Sequence, residues 1–435
     1  MYRGAGRALA NAVPDDKPAS RQGGALRTLR HRNFRLLWFG QLVASVGQQM
    51  QQVAIAWQLF NLTDSTFQVG LVAAFGIAPF LAMSFVGGTI ADRFDRRRIM
   101  LFTQSWTMVN ALLLLTATLA GVITPGIIYG LAFMMGLSRS FDGPARQSLI
   151  PNLVPRDELA NALTMNTMLR QLATVAGPGI GGIVLGLFGV AAAYAVNSLL
   201  VLSIIGALLL MDPIKAAPRG NARGLQMALG GLRYVKGEPV VLSILCLDWL
   251  VNLLGATRVL LPVFARDILE VGPEGLGLLY AAPAAGAVTG ALVLGAIGVR
   301  WKHPAVILMT CMAFGAFIVG FGVSTYFPLS LLMLFGTGLM DVIGEVMRST
   351  IVQLRTPDEL RGRVTALTII FTNGGPQLGQ LQNGAIATSV GPVEAAVFGG
   401  LGVMLSTTFF IFNRHMRTMP PDRVEAPVAA GTPAG

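Results

Sequence analysis

Long apolar segments and short polar loops alternate along almost the entire chain. The apolar segments cover approximately residues 34–60, 67–90, 99–122, 126–148, 161–187, 190–211, 240–265, 274–298, 304–324, 328–350, 362–388 and 391–412. A helix needs about 20 apolar residues to cross roughly 30 Å of hydrocarbon, and each segment is long enough. The pattern therefore predicts an all-α membrane protein with twelve transmembrane helices.

Composition and charge agree with a lipid environment. Hydrophobic residues make up 53% of the chain and charged residues only 12%. The net charge of +11 is spread loop by loop, which favours a lipid bilayer over a nucleic-acid partner. With both termini inside, only Arg266 of the 32 Lys and Arg residues falls in an outward loop. This predicts a multi-pass protein of the inner membrane with both termini cytoplasmic.

The longest internal connection divides the twelve segments into two sets of six. The predicted regions are a disordered N-terminal tail (1–32), an N-terminal bundle (33–211), a cytoplasmic linker (212–239), a C-terminal bundle (240–412) and a disordered C-terminal tail (413–435). Within the linker, apolar residues from Leu225 to Val235 recur at helical spacing and predict a short helix on the inner leaflet.

A short internal repeat relates the two sets. The tripeptide Asp-Glu-Leu begins at Asp157 and again at Asp358, and a Gly-Pro pair begins at Gly177 and again at Gly375. Duplication of six helices explains this match, with chance as the alternative. Two pseudo-symmetric six-helix bundles would place a substrate between them near the middle of the membrane.

Several kinds of chemistry find no support in the sequence. Cys246 and Cys311 lie in apolar segments, and His31, His303 and His415 are far apart, so we expect no disulfide, no metal site and no catalytic group. No Walker-type Gly-rich loop is present, and we therefore expect no ATP site in this chain. The sequence predicts no cofactor and no enzymatic activity, and energy for transport would come from an ion gradient.

The charged loop between the second and third segments resembles the signature of the major facilitator superfamily. The matching residues are Gly88, Asp92, Arg93, Arg96 and Arg97, whereas Asp95 replaces the usual Gly. The resemblance implies a conformational latch, in which the Asp pairs with Arg on neighbouring helices to close the inner side. Simple positive-inside topology is the alternative explanation for the arginines.

A second resemblance lies in the fifth segment. Gly177, Pro178, Gly181 and Gly182 are similar to the core of the antiporter motif found mainly in exporters of this superfamily, although Ala173 replaces its first Gly. Small residues let two helices approach closely and Pro introduces a kink. Static packing by small residues is the alternative.

The fourth segment carries a third, partial resemblance. Residues 139–145 are similar to a family motif that has an intramembrane Arg, although Asp142 replaces the usual Gln. Residues 146–155 resemble the macrolide-efflux and siderophore-exporter branch. Together the motifs resemble the drug/proton antiporter group, which implies the major facilitator fold, proton-coupled efflux and a role in drug resistance.

Proton coupling requires a carboxylate in the membrane whose protonation changes between states. Asp248 and Asp341 lie well inside their segments and are the preferred candidates, followed by Asp142, which Arg139 and Arg146 would hold as a permanent ion pair. Glu345 shares a helix face with Arg348, so an intrahelical ion pair is the prediction there.

Polar residues in the apolar segments predict the lining of a substrate cavity. Gln41, Ser45, Gln48 and Gln52 form a stripe on the first helix, for which interhelical hydrogen bonding is the alternative. The other candidates are Arg139, Asn166, Arg170, Asn252, Arg258, Asn373, Gln377 and Gln380. For Arg258, an ion pair with a membrane carboxylate, a contact to an anionic substrate and snorkelling outward all stay open.

The sequence therefore predicts a secondary active transporter that exports an amphipathic small molecule, such as a drug, siderophore or metabolite, in exchange for protons. Symport or facilitated uptake is an alternative with the same fold. A membrane-embedded receptor or scaffold without transport is an alternative of another class.

Overall fold

A computed structural model describes residues 25–212, 233–297 and 304–412, and these residues are almost entirely helical, with no β-strand among them. The first half contains α1 (Arg32–Thr63), α2 (Thr66–Arg93), α3 (Arg96–Leu119), α4 (Pro125–Leu149) and a 52-residue helix, Leu159–Leu210. The second half contains α7 (Pro239–Leu254), α8 (Gly272–Ile297), α9 (Pro304–Val323), α10 (Phe327–Arg355), α11 (Asp358–Val390) and α12 (Pro392–Phe412).

The 52-residue helix is two helices joined at Gly189. This residue has φ 80° and ψ 178°, a conformation that a side chain would strain and that glycine adopts readily. We name residues 159–188 α5 and residues 190–210 α6. With this division, twelve long helices are present in the ranges given above.

A second break follows α7. The chain leaves the helix at Gly255, continues as a 3-10 turn, Thr257–Leu260, and ends in a π-helical turn, Phe264–Ile268. The break exposes backbone carbonyl groups that need a donor within the membrane. The buried side chain of Asn383 on α11 supplies it, because Nδ2 donates to the carbonyl oxygens of Leu254 (3.2 Å) and Ala256 (3.0 Å).

Eight helical stretches of the described chain are long and apolar enough to cross a membrane, and one of them, Arg156–Leu210, contains both α5 and α6. The helices α1, α4 and α11 are absent from this set, and they carry many of the polar residues that face the cavity described below. The predicted fold class is confirmed. The count of twelve membrane crossings stays a prediction.

Two ion pairs lie at the same end of the helix bundle. At the end where α1 begins, Arg32 Nη1 lies 2.8 Å from Asp212 Oδ1, which joins the start of α1 to the end of α6. In the second half, Arg355 Nη1 lies 3.6 Å from Glu238 Oε1, joining the end of α10 to the start of α7. We call this end of the bundle the tail end and the opposite end the far end.

Part of the predicted N-terminal tail is ordered. Residues Ala25–Arg30 form a 3-10 helix, and Arg27 Nε and His31 Nε2 each lie 3.0 Å from a different carboxylate oxygen of buried Glu158. Residues 1–24 and 413–435 of the predicted tails lie outside the described ranges. The same holds for the predicted linker helix, except that residues 233–237 are helical.

Candidate substrate cavity and coupling cluster

A cavity of about 320 Å³ lies between the two halves of the chain. Residues of α1, α2, α3 and α4 line it from the first half, and residues of the 3-10 turn after α7, α8 and α11 line it from the second. Its volume is at the lower end of the range of small-molecule sites. The lining combines apolar side chains with amides, one tyrosine and two arginines.

The polar stripe predicted on α1 divides into two parts. Gln48 and Gln52 line the cavity. Gln41, by contrast, is buried and donates through Nε2 to Ser45 Oγ at 3.1 Å, and neither residue is part of the lining. The first pair therefore has the placement expected of substrate contacts. The second pair forms a hydrogen bond within α1, which is neither cavity lining nor the interhelical bond that was the alternative.

The other predicted lining residues lie in different places. Arg139, Arg258 and Gln377 line the cavity, as does Gln380 one helical turn beyond Gln377. Asn166 is half-buried on α5 and is not part of the lining. The side chain of Asn373 lies outside the described residues.

Three polar lining residues were not predicted from the sequence. Gln51 lies beside the α1 stripe and accepts a hydrogen bond from Asn197. Asn110 donates to the carbonyl oxygen of Leu131 (2.9 Å), and Tyr280 contributes a phenol. Asn110 is an isolated amide in an apolar segment, and that isolation is the signal that could have found it. Tyr280 has no such signal, because tyrosine is common as a packing residue.

A buried ion-pair cluster joins two helices of the second half. Arg348 on α10 places Nε 2.8 Å from Asp248 Oδ1 on α7 and Nη2 3.6 Å from Asp341 Oδ1 on its own helix. The side chains of Arg348 and Asp248 are 5% and 10% exposed, whereas Asp341 is 42% exposed. One guanidinium group therefore forms ion pairs with two carboxylates, of which only Asp341 is substantially exposed.

Further hydrogen bonds hold this cluster. Asp248 accepts from Asn252 Nδ2 (3.4 Å) and Thr372 Oγ1 (3.5 Å), and Arg348 Nη1 contacts Cys311 Sγ at 3.4 Å. The predicted intrahelical pair of Glu345 with Arg348 is not formed, because the guanidinium is engaged by Asp248 from the neighbouring helix. Helical spacing identified the face correctly and missed the partner across the helix interface.

Asp142 lies in a different environment in the first half. Its Oδ1 accepts from Thr103 Oγ1 (3.0 Å) and Gln104 Nε2 (2.9 Å), and its Oδ2 lies 4.0 Å from Arg146 Nη2. Asp142 therefore accepts two hydrogen bonds from α3 and lies beside one guanidinium group. Arg139 shares the helix with Asp142 but forms no ion pair with a carboxylate in the described ranges.

The glycine motif of α5 lies at two helix interfaces. A Cβ atom added at Gly177 or Gly181 would fall within 3.0 Å of atoms of α1, whereas one added at Gly182 would lie 2.7 Å from Gly277 Cα on α8. Pro178 contributes its carbonyl oxygen, which is close to Gly277. The motif thus lets α5 pack against α1 within one half and against α8 across the two halves, near the far end.

Polar contacts also join the halves at the far end. Thr66 Oγ1 of α2 donates to the carbonyl oxygen of Gly384 and is hydrogen bonded to Thr388 Oγ1 of α11, both at 3.1 Å. Arg266, from the π-helical turn after α7, places Nη2 2.7 Å from Asp64 Oδ1, and its guanidinium carbon lies 4.2 Å from the centre of the Phe60 ring. These contacts hold the two halves together at this end.

The predicted latch motif is described only in part. Gly88 and the side chains of Asp92 and Arg93 lie outside the described residues. Arg97 donates through Nε to the carbonyl oxygen of Leu208 (2.6 Å) and through Nη2 to that of Leu209 (3.0 Å), while Asp95 caps α3 by accepting from the Arg97 backbone N–H (2.9 Å). Arg96 is buried. Arg97 therefore binds the last turn of α6, within the first half.

A family model and several known proteins match most of this chain. A family model described as transmembrane secretion effector matches residues 23–427. The enterobactin exporter EntS of Escherichia coli (strain K12) is 29% identical over 400 residues, covering 90% of this chain and 95% of the relative. EntS of Shigella dysenteriae serotype 1 (strain Sd197) matches with the same identity and coverage.

Solved transporters share the fold. The nucleoside transporter NupG aligns with a TM-score of 0.71 and 13% identity, covering 89% of this chain and 100% of that chain. A bacterial homolog of the human lysosomal transporter Spinster, in an inward-facing and unoccupied conformation, aligns with a TM-score of 0.66 and 15% identity, covering 87% and 95%. At these identities the likeness concerns the fold alone.

Proposed function

Because this chain belongs to the transmembrane secretion effector family of the major facilitator superfamily, we propose that it exports an amphipathic small molecule in exchange for protons by alternating access. The relatives are transporters and not enzymes, and the chain is accordingly a multi-pass secondary transporter of the inner membrane. The enterobactin exporters among the relatives support export as the direction, as does the glycine motif of α5.

The observation that carries alternating access is that the hydrogen bonds and ion pairs described between the two halves lie at the far end. At the far end, Arg266 with Asp64 and Thr66 with Thr388 cross between the halves. At the tail end, the ion pairs given above each join helices of one half. With the termini in the cytoplasm, as predicted, this arrangement corresponds to an inward-facing state ready to receive substrate from the cytoplasm.

For proton coupling we propose Asp341 as the group that gains and loses the proton, with Asp248 as its partner. Asp341 is the more exposed carboxylate and the more distant from the shared Arg348. When Asp341 binds a proton, Arg348 would be left to Asp248 alone, and when it releases the proton both carboxylates would compete for one guanidinium. Such a change in charge balance gives protonation a differential effect on two conformations, which coupling requires.

Asp142 is the third candidate and is less suited to this role in the state described. Its carboxylate is already held by two hydrogen-bond donors of α3 and lies beside Arg146. We propose that it instead fixes α4 against α3 and so positions Arg139 in the cavity. We also propose that the latch motif at residues 88–97 closes the tail end in the opposite conformation.

The proposal is tested in inside-out membrane vesicles with three dansyl amphiphiles of similar size. These are the anionic N-dansylglycine, the neutral N-dansylglycinamide and the cationic dansylcadaverine. An imposed gradient, acidic inside, should drive accumulation of at least one probe beyond that in vesicles without the protein. Asp341→Asn and Asp248→Asn should abolish gradient-driven accumulation.

Counterflow provides the matching measurement. Exchange of labelled for unlabelled probe needs no proton movement, so Asp341→Asn should keep it while losing the gradient response. Glu394→Gln removes an exposed carboxylate at the start of α12 and serves as the control that changes neither measurement. Gradient-driven accumulation that survives in both Asp variants would remove the coupling assignment, and accumulation driven by the opposite gradient would establish uptake.

A further inference from the structure

The cavity contains two guanidinium groups, one contributed by each half of the molecule. Arg139 lies on α4, and Arg258 lies in the 3-10 turn Thr257–Leu260 that follows the break in α7. Both side chains are exposed to the cavity that they line. The two charges therefore approach the same space from opposite sides of the interface between the halves.

No acidic residue balances these charges within the lining that the structure describes. The remaining polar members are amides and one phenol: Gln48, Gln51, Gln52, Asn110, Tyr280, Gln377 and Gln380. Neither guanidinium forms an ion pair with a described carboxylate. The lining consequently has an excess of two positive charges.

The nearest acidic group on α4 is already engaged. Asp142 lies three residues beyond Arg139. Its carboxylate accepts hydrogen bonds from Thr103 and Gln104 and forms an ion pair with Arg146. For Arg258, the described partner is a backbone contact, in which its carbonyl oxygen accepts from Tyr280 OH (3.1 Å). Both guanidinium groups thus keep their own donors free to bind a ligand.

Such an arrangement is costly without a ligand of opposite charge. A cation inside the membrane region is tolerated when it pairs with an anion or faces water, and intramembrane cations commonly mark substrate pathways. The planar fork of guanidinium matches the geometry of a carboxylate or another oxyanion and binds it through two parallel hydrogen bonds. A cationic ligand would meet like charges on both sides.

We propose that the transported molecule is an amphipathic organic anion, held by Arg139 from one half and Arg258 from the other. This inference rests on the proposed transport function and specifies its substrate class. The oxyanion lies between the two arginines, the amides bind neutral polar groups, and the apolar residues of α2 accept the hydrophobic part. Because the ligand touches both halves, it must leave at least one arginine when the halves separate.

The three dansyl probes test the charge directly, because they share one fluorophore. Binding to the purified protein in lipid nanodiscs is measured from the dansyl fluorescence. N-dansylglycine should bind at least about tenfold more tightly than N-dansylglycinamide, because hydrogen bonds between a guanidinium and a carboxylate are stronger than those to a neutral amide. Dansylcadaverine should bind most weakly.

Two single variants assign the effect to the arginines. Arg139→Gln and Arg258→Gln should each weaken N-dansylglycine binding about tenfold and leave N-dansylglycinamide binding unchanged. Arg139→Lys and Arg258→Lys keep the charge and should retain part of the preference, which separates loss of charge from loss of folding. Arg233→Gln, at an exposed position in residues 233–237, is the matched control.

Equal binding of the acid and the amide, or a preference for the acid that survives both Gln variants, would overturn the proposal. Failure of all three probes to bind folded protein would overturn it as well, because a cavity with two unpaired cations should take a small organic anion. Anion binding without any gradient-driven flux would instead refute the transport function while keeping the charge preference. Flux of the neutral amide alone would refute the charge preference while keeping the transport function.

Discussion

Asp64 and Arg266 form an ion pair across the two halves of the molecule, with Oδ1 and Nη2 2.7 Å apart. Asp64 ends α1 in a left-handed conformation, φ 48°, which directs its carboxylate beyond the helix end. Arg266 is the single basic residue that the predicted topology places in an outward loop. Its exceptional position is explained by the contact it makes, since it binds the opposite half at the far end.

Asp64→Asn or Arg266→Gln should shift the population toward the state that is open at the far end. Exposed ion pairs contribute about 0.2–1 kcal/mol, so we expect a change of up to about fivefold. Spin labels at Thr124 and Tyr326, at the far ends of α4 and α10, would report the opening as a longer distance component. Asp212→Asn disrupts an ion pair within one half and should leave the distribution unchanged; equal effects of both variants would contradict the gate.

Gly182→Ala should also open the far end, by a steric mechanism. The new Cβ would lie 2.7 Å from Gly277 Cα and 2.8 Å from the Pro273 carbonyl oxygen, so the backbones of α5 and α8 must separate. Overpacking of this kind costs about 1–3 kcal/mol. Gly179→Ala, in the same motif, is the control, because nothing lies within 4 Å of its Cβ position. The same spin-label distances should change for the first variant only.

Arg348→Gln should destabilise the protein more than the loss of either carboxylate. It leaves the nearly buried Asp248 without a cation, and breaking a buried pair costs about 3–5 kcal/mol. Thermal unfolding in detergent would measure the loss. In the double variant Arg348→Gln with Asp248→Asn no charge is left unpaired between these two residues, so it should be more stable than Arg348→Gln alone. Additive losses would indicate that the two side chains are not coupled.

Glu158→Gln should release the N-terminal 3-10 helix. The carboxylate holds Arg27 and His31, and loss of a charged hydrogen-bond partner contributes about 1.5 kcal/mol or more. Trypsin cleavage after Arg27 or Arg30 should therefore become about tenfold faster. Asp157→Asn changes the exposed neighbour and should leave the rate of cleavage as it is.

The alternation of apolar segments and polar loops predicted the positions of the helices well, because most of the helices are long apolar stretches. The fifth segment was expected over residues 161–187 and α5 covers residues 159–188, with Gly189 at the break. The seventh segment was expected to be one helix, whereas α7 ends at Leu254. That break depends on hydrogen bonds from Asn383, a distant residue, so that local sequence does not reveal it.

The candidate site was predictable to the extent that polarity within an apolar segment is itself informative. Gln48, Gln52, Arg139 and Arg258 stand out for this reason, and all of them line the cavity. Which partner each polar group takes is a matter of tertiary packing. Arg348 is an example: helical spacing predicts an ion pair with Glu345, whereas in the structure Arg348 pairs with Asp248 of another helix.

The amide of Asn383 has a consequence for the movement of the second half. By binding the carbonyl oxygens of Leu254 and Ala256, it ties α11 to both sides of the break in α7. Arg258 lies two residues after Ala256, so its position depends on α11 as well as on its own segment. Any tilt of α11 would move Arg258 with it. The bound molecule would then lose its contact with Arg258 while Arg139 kept its position in the opposite half.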